Sequence, residues 1–122
     1  MTDSRIQIRH LTKTYQRAGE SLRVLDDLDL DMDAGTFYAL MGPSGSGKTT
    51  LLNLVGGLDV ADAGDVIVGG ENLSNLSGSD LARWRADHVG FVFQGFNLLP
   101  VLSARENVEL PLLLSPLSKS QR

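Results

Sequence analysis

The sequence contains no cysteine, and this absence excludes several kinds of site at once. A disulfide framework, an iron–sulfur cluster, a thiolate zinc site and a cysteine nucleophile all require the missing thiol. Long apolar runs are also absent: the stretches at 51–58 and 108–114 are far shorter than the ~20 residues that cross a bilayer. Charges at Asp3, Arg5 and Arg9 leave no apolar core for a secretory signal, so a cytoplasmic location is expected.

An excess of basic residues is also lacking. The 122 residues include 11 Lys and Arg against 15 Asp and Glu, a formal net charge of −4. Nucleic-acid binding needs a clustered basic surface, and the basic residues here are scattered, so we expect no nucleic-acid partner. Aromatic residues make up only 6%, but the 42% apolar content is typical of a globular chain of one domain or less.

Apolar periodicity predicts strands in four places. Residues 6–11 and 22–32 alternate between apolar and polar side chains, and a polar loop at 16–21 separates them, so we expect a hairpin. Residues 36–41 and 89–93 are nearly uninterrupted apolar runs of the kind that form buried central strands. A partly parallel sheet is therefore predicted, with residues 66–68 as a further short strand.

Helices are predicted by capping residues and 3.6-residue spacing. Lys48–Val55 has no Gly or Pro and is followed by Gly56 and Gly57, which end the helix. A second helix is expected over 80–87 behind Ser77 or Ser79. The third begins after Ser103, which stands three residues before Glu106 in capping-box spacing, and Pro111 should bend it.

Residues 42–49 fit the phosphate-loop pattern G-x-x-x-x-G-K-[ST] between a predicted strand and a predicted helix. Its glycines allow successive N–H groups to point inward as an anion nest, and the helix N-terminus adds partial positive charge. The predicted nucleotide-binding residues are Gly42, Pro43, Ser44, Gly45, Ser46, Gly47, Lys48, Thr49 and Thr50. The pattern predicts binding of a nucleoside triphosphate.

Two side chains of the loop have specific predicted roles. The Lys48 ammonium would reach the β- and γ-phosphates and act in catalysis, while the Thr49 hydroxyl would ligate Mg²⁺. Thr50 is expected to help with the α-phosphate or with packing. A dinucleotide fingerprint starting at Gly45 would need glycine at position 50, so NAD and FAD are disfavoured.

Beyond the loop, the sequence resembles the ATP-binding subunits of ABC transporters along its whole length. It looks most like the lipoprotein-releasing and macrolide-export type, and the resemblance is carried by residues 42–50, 90–100 and 104–108. The resemblance implies an α/β P-loop NTPase fold with an antiparallel β layer from the first ~35 residues and the start of a helical subdomain after Gln94. Residues 1–122 would form one incomplete nucleotide-binding domain, with its glutamine loop around Gln94.

The same resemblance implies roles for two further residues. Tyr15 stands where the family has an aromatic that stacks on adenine, although its strand position alone would equally explain a tyrosine. Gln94 stands where the family has a catalytic glutamine that contacts Mg²⁺ and the attacking water. The implied cofactors are ATP and Mg²⁺. The implied partners are a transmembrane subunit and a second nucleotide-binding subunit, on the inner face of the cell membrane.

Some motifs of the family have no counterpart after Gln94. There is no signature of the Leu-Ser-Gly-Gly-Gln type, no apolar strand ending in Asp-Glu and no switch histidine. The carboxylates that do follow, Glu106 and Glu109, fall on a predicted helix, so no general base is assigned. The chain is therefore expected to correspond to the N-terminal half of such an ATPase.

Two other functions stay open. A catalytically silent nucleotide-binding module fits the missing general base, and a small-molecule kinase would share the phosphate loop but would not explain Tyr15 or Gln94. A calcium loop over 29–40 is disfavoured, because its glycine is displaced and Leu40 stands where a bidentate glutamate is needed. His10 and His88 are expected at the surface or at helix ends rather than as metal ligands.

The segment 94–101 is unusually apolar for a loop. Either it is buried beneath the helix that follows Ser103, or it forms the floor of a groove for a short helix of a transmembrane subunit.

Overall fold

A computed structural model describes residues 6–122, so Asp3 and Arg5 of the N-terminal charge pattern lie outside the described residues. The chain divides into two compact units, one ending at Val89 and the other beginning at Gly90. We describe each unit by itself.

The first unit is built on the predicted hairpin. Strand β1 covers Ile6–Arg17 and strand β2 covers Glu20–Met32, paired antiparallel from Ile6 opposite Met32 to Arg17 opposite Glu20. The strands extend into the loop expected at 16–21, and only the turn at Ala18 and Gly19, where both φ angles are positive, separates them. Register shifts between Ile8 and Thr14 mark bulges that twist the ribbon.

A third strand completes the antiparallel layer on the other edge of β1. Strand β3, Ala63–Val68, pairs antiparallel with β1, and the short strand β4, Glu71–Asn72, pairs with β3. The order is β2-β1-β3-β4, so β1 is a central strand with both edges bonded. The antiparallel β layer expected from the resemblance is confirmed.

Two helices share a hydrophobic core with this layer. Helix α1 is Lys48–Val55, as predicted, and helix α2 is Gly78–His88 with Ser77 as its N-cap. A short 3₁₀ turn, Leu73–Asn75, precedes α2. The core contains buried apolar side chains from the sheet, both helices and the turn: Ile8, Leu11, Leu25, Leu51, Leu54, Val66, Leu73, Leu81 and Trp84. The Trp84 indole also stacks on the His88 ring, with 5.3 Å between the ring centroids.

The two predicted central strands do not form. Residues 36–41 and 89–93 have no regular secondary structure, and Phe37 and Val92 are 92% and 98% exposed. A buried parallel strand is stabilised by hydrogen bonds to neighbours on its edges and by helices over both faces. Within residues 6–122 no segment pairs with either run, so their apolar sequences are not buried in a sheet.

The second unit contains helix α3, Ala104–Glu109, followed by a 3₁₀ turn over Leu110–Leu114 where Pro111 interrupts the helix. The predicted capping box is present: the Ser103 hydroxyl accepts from the Glu106 N–H, and the Glu106 carboxylate accepts from the Ser103 N–H. Hydrogen bonds from the Ser103 hydroxyl and then from its N–H lower the pKa of Glu106. Among the helices of residues 6–122, none has the length and apolar character needed to cross a membrane.

Candidate functional site

The phosphate loop lies immediately before α1. Its turn covers 44–47, closed by a hydrogen bond from the Ser46 N–H to the Pro43 carbonyl at 3.2 Å. Gly45 and Gly47 have φ of 80° and 93°, and Gly47 is the N-cap of α1 without a side-chain hydrogen bond. Because the first N–H groups of any helix have no intrahelical acceptor, the start of α1 offers donors to an anion.

Gly47 is required here for two independent reasons. Its positive φ is strained for any residue with a Cβ. A Cβ at this position would also lie 3.1 Å from a methyl group of Leu25 and 3.2 Å from both the carbonyl oxygen and a methyl group of Val24. The loop is therefore packed directly on strand β2.

The Lys48 side chain folds back into the loop. Its Nζ donates to the carbonyls of Gly42 at 2.6 Å and Pro43 at 2.7 Å, and to the Ser46 hydroxyl at 3.2 Å. The positive charge is thus held among the atoms of the loop itself, beside the N-terminus of α1. Both features favour an anionic ligand.

A cavity of about 540 Å³ adjoins the loop, a volume typical of small-molecule sites. One part of its lining comes from the hairpin and the other from the loop and the first turn of α1. The hairpin contributes Tyr15, Leu22 and Val24, and the loop and helix contribute Ser44, Gly45, Gly47, Lys48, Thr49 and Thr50. Tyr15 and six of the nine predicted loop residues therefore meet in one cavity, while Gly42, Pro43 and Ser46 hold the Lys48 ammonium.

Tyr15 has an apolar neighbourhood and a fixed hydroxyl. It lies opposite Leu22 in the β1–β2 register, and Val24 follows Leu22 on the same face of β2. Its hydroxyl donates to Asp59 Oδ2 at 2.8 Å. Burial and this bond to Asp59 raise the pKa of Tyr15, against a smaller opposing effect from Thr50, so the hydroxyl stays protonated.

Lys13 and Asp59 are two residues beside the site that the sequence analysis missed. Lys13 is 8% exposed, and its Nζ donates to Asp59 Oδ1 at 2.9 Å and lies 5.1 Å from the Tyr15 ring centroid. Alternation along β1 gives a signal that Lys13 and Tyr15 share a face. No local sequence pattern indicates that Asp59 contacts these residues, because it lies 46 positions after Lys13 in the sequence.

Gln94 belongs to the second unit. It is exposed and begins a turn over 94–97 in which Phe96 and Asn97 have positive φ. Phe96 is 77% exposed, and Leu98, Leu99 and Val101 are also exposed, so the alternative of burial beneath α3 does not hold for this segment. The Asn107 side chain of α3 instead fixes the backbone of the segment at Leu99, accepting from its N–H at 2.8 Å and donating to its carbonyl at 3.1 Å.

The remaining candidates have structural partners. Asp31 pairs with Arg9 at 2.9 Å, and Asp29 accepts from the His10 N–H at 2.7 Å, so the aspartates of β2 follow the strand rather than a calcium loop. His10 lies at the surface and contacts Asp27, and His88 ends α2. Within residues 6–122, no group of three or more His, Asp or Glu side chains is arranged to hold a metal ion.

Comparison with known proteins gives consistent matches. The family model described as ABC transporter matches residues 25–122. The macrolide export ATP-binding/permease protein MacB of Burkholderia pseudomallei is 43% identical over all 122 residues, which correspond to 19% of that protein. The ABC transporter ATP-binding protein YknY of Bacillus subtilis is 44% identical over 117 residues, covering 96% of this chain and 51% of YknY.

A solved structure matches as well. The ATP-binding cassette MJ0796, in a dimeric post-hydrolysis state bound to ADP and Pi, superposes with a TM-score of 0.86 at 41% identity. The match covers 94% of this chain and 51% of that chain. This sequence therefore spans about half the length of the matched cassette, and a smaller share of longer relatives such as MacB. The expected fold, a P-loop NTPase of the ABC type, is confirmed. The chain belongs to the ABC transporter family of ATP-binding proteins.

Proposed function

We propose that this chain binds Mg-ATP and that the binding serves to energise an ABC-type transporter or extrusion complex. The observation that carries the proposal is the single cavity lined both by Tyr15 and by residues of the phosphate loop. An adenine nucleotide has an aromatic end and a polyanionic end, and the two parts of the lining match these ends in chemistry.

The phosphate end of the cavity offers donors and positive charge. The N–H groups of the loop and of the first turn of α1 would bind phosphate oxygens, and Lys48 would exchange its bonds to the Gly42 and Pro43 carbonyls for the β- and γ-phosphates. Thr49 lines the same cavity with a hydroxyl oxygen, the ligand type that Mg²⁺ prefers. Bound Mg²⁺ would neutralise charge developing on the phosphates.

The other end of the cavity suits a base. Tyr15 presents a ring flanked by Leu22 and Val24, and an aromatic ring against adenine contributes about 1–3 kcal/mol. A site that recognised only phosphate would not need this aromatic and apolar lining.

The coupling roles come from the family resemblance. Gln94 would contact Mg²⁺ and the attacking water, and the exposed apolar residues that follow it would receive a short helix of a transmembrane subunit. By analogy with dimeric MJ0796, a second nucleotide-binding subunit would face this one. The complex would then lie on the cytoplasmic face of the membrane.

Titration calorimetry with Mg-ATP tests the binding. Lys48→Ala should weaken binding by about 10- to 100-fold, the value of a charge-assisted hydrogen bond to phosphate. Arg83→Ala is the matched control, because Arg83 is an exposed cation on α2 whose side chain pairs only with Asp80 among the described contacts. Equal affinity of wild type and Lys48→Ala would reject the assignment of the loop.

Product analysis separates the alternatives. Inorganic phosphate released in a Lys48-dependent manner supports the ATPase function. Phosphate transferred to an added small-molecule acceptor favours a kinase, and binding without any product favours a catalytically silent module.

A further inference from the structure

Lys13 is a cation in an enclosed position. Only 8% of the residue is exposed, and its ammonium donates to Asp59 Oδ1 at 2.9 Å and to the Val60 carbonyl at 2.6 Å. A buried ammonium is costly unless it is paired and hydrogen-bonded, and here both partners lie in the loop that follows α1. The position of Lys13 is therefore set by that loop.

Asp59 divides its carboxylate between two tasks. Oδ1 accepts from Lys13 and from the Val60 N–H, whereas Oδ2 accepts from the Tyr15 hydroxyl at 2.8 Å. Burial alone would raise the pKa of Asp59, but the bonds from Lys13, Tyr15 and Val60 outweigh this effect and lower it. The carboxylate is therefore ionised at neutral pH and acts as a strong acceptor for the tyrosine.

Tyr15 is consequently in contact with both Asp59 and Lys13. Asp59 fixes the hydroxyl, and the Lys13 ammonium lies 5.1 Å from the ring centroid, within the range of a cation–π contact. A tyrosine ring without these contacts could rotate about its χ angles in a cavity of this size. We call these three residues, Lys13, Asp59 and Tyr15, the Asp59 cluster.

The cluster also joins the two parts of the cavity lining. Asp59 lies in the loop that leaves α1, the helix that begins in the phosphate loop, while Lys13 and Tyr15 lie on β1. A second aspartate of that loop, Asp62, accepts from the Thr14 N–H at 2.6 Å and so ties the same strand. The wall that would receive a base is therefore fixed to the helix that would bind phosphate.

We propose that Asp59 and Lys13 are positioning residues that hold the Tyr15 ring in the orientation that receives the nucleotide base. The inference rests on the proposed binding of Mg-ATP. It assigns the base-dependent part of the affinity to the Asp59 cluster and the base-independent part to the phosphate loop.

The test compares two ligands, Mg-ATP and Mg-tripolyphosphate, which shares the phosphate chain and has no base. Tyr15→Phe removes only the hydroxyl, Asp59→Asn removes the charge, and Lys48→Ala alters the phosphate loop. Asp31→Asn is the control, because it weakens an ion pair on the same hairpin whose partner, Arg9, does not line the cavity. Melting temperatures are measured for all variants, so that binding is compared only between folded proteins.

We expect Tyr15→Phe and Asp59→Asn each to weaken Mg-ATP binding by about 3- to 10-fold, the value of one hydrogen bond, and to leave tripolyphosphate binding unchanged. Lys48→Ala should weaken the binding of both ligands, and Asp31→Asn should weaken the binding of neither. The inference is overturned if Tyr15→Phe binds Mg-ATP like wild type, or if the cluster variants lose both ligands equally. A wild type that binds tripolyphosphate as tightly as ATP would instead reject base recognition in the proposed function. Should Asp59→Asn fail to fold, Tyr15→Phe alone decides.

Discussion

The side-chain amide of Asn107 pairs with both backbone groups of Leu99, accepting from its N–H at 2.8 Å and donating to its carbonyl at 3.1 Å. The same Nδ2 also lies within bonding distance of the Leu102 and Ser103 carbonyls. One helical side chain thus holds the backbone of the exposed apolar segment that follows Gln94.

Asn107→Ala should release this segment, because it removes an acceptor and a donor that no other side chain of α3 supplies to Leu99. The expected cost is about 1 kcal/mol, together with faster amide hydrogen exchange at Leu99. Asn107→Asp should be no better, since its carboxylate faces three backbone carbonyls. Val108→Ala, at a 75% exposed neighbour, is the control. Protection of Leu99 in Asn107→Asp equal to wild type would contradict the role of the amide.

Gly47→Ala and Gly45→Ala form a matched pair in the phosphate loop. Both positions have positive φ, so each alanine should cost about 1 kcal/mol of the free energy of unfolding. Only at Gly47 would the new Cβ also press on Val24 and the buried Leu25, whereas nothing lies within 4 Å at Gly45. Urea denaturation should therefore show the larger loss for Gly47→Ala. Equal losses would mean that the contact with β2 relaxes without cost.

Asp59→Asn should also destabilise the first unit, because it replaces the charged partner of the Lys13 ammonium with a neutral amide, at a cost of about 1–3 kcal/mol near neutral pH. Because folding lowers the pKa of Asp59, its ionised form stabilises the fold above the ordinary value of 3.8. That contribution is lost as the pH falls through the folded-state pKa. The stability difference between wild type and Asp59→Asn should therefore shrink below pH 3.8, and a constant difference in acid denaturation would refute the linkage.

His10 should titrate above its ordinary pKa of 6.5. The hydrogen bond to Asp27 is the main cause, followed by the charges of Asp29 and Asp27, against smaller opposing effects from desolvation and Arg9. The stabilisation from protonated His10 is thus fully present below pH 6.5 and is lost as the pH rises through the raised value. An NMR titration of the imidazole measures it, and Asp27→Asn should lower the pKa. An unchanged pKa in that variant would assign the shift to other groups.

Features with local causes could be predicted from the sequence. The start of α1 follows from the glycines before Lys48, the N-cap of α2 from Ser77, and the beginning of α3 from the spacing of Ser103 and Glu106. Each depends on residues within a few positions of one another, so sequence spacing contains the necessary information.

Features that depend on distant partners could not. The apolar runs 36–41 and 89–93 indicate that burial is favourable there, but a strand forms only where another segment pairs with it. In the same way, the composition around Asp59 gives no sign that its carboxylate reaches Lys13 and Tyr15 on β1.

The position of Trp84 in the first unit has a consequence for spectroscopy. Trp84 is the sole tryptophan of the chain, and the two tyrosines, Tyr15 and Tyr38, also lie before Val89. Intrinsic fluorescence therefore originates in the first unit, while the second unit has only phenylalanine chromophores. Far-ultraviolet circular dichroism registers helices in both units, so a gap between a fluorescence melting curve and a dichroism melting curve would measure how independently residues 90–122 unfold.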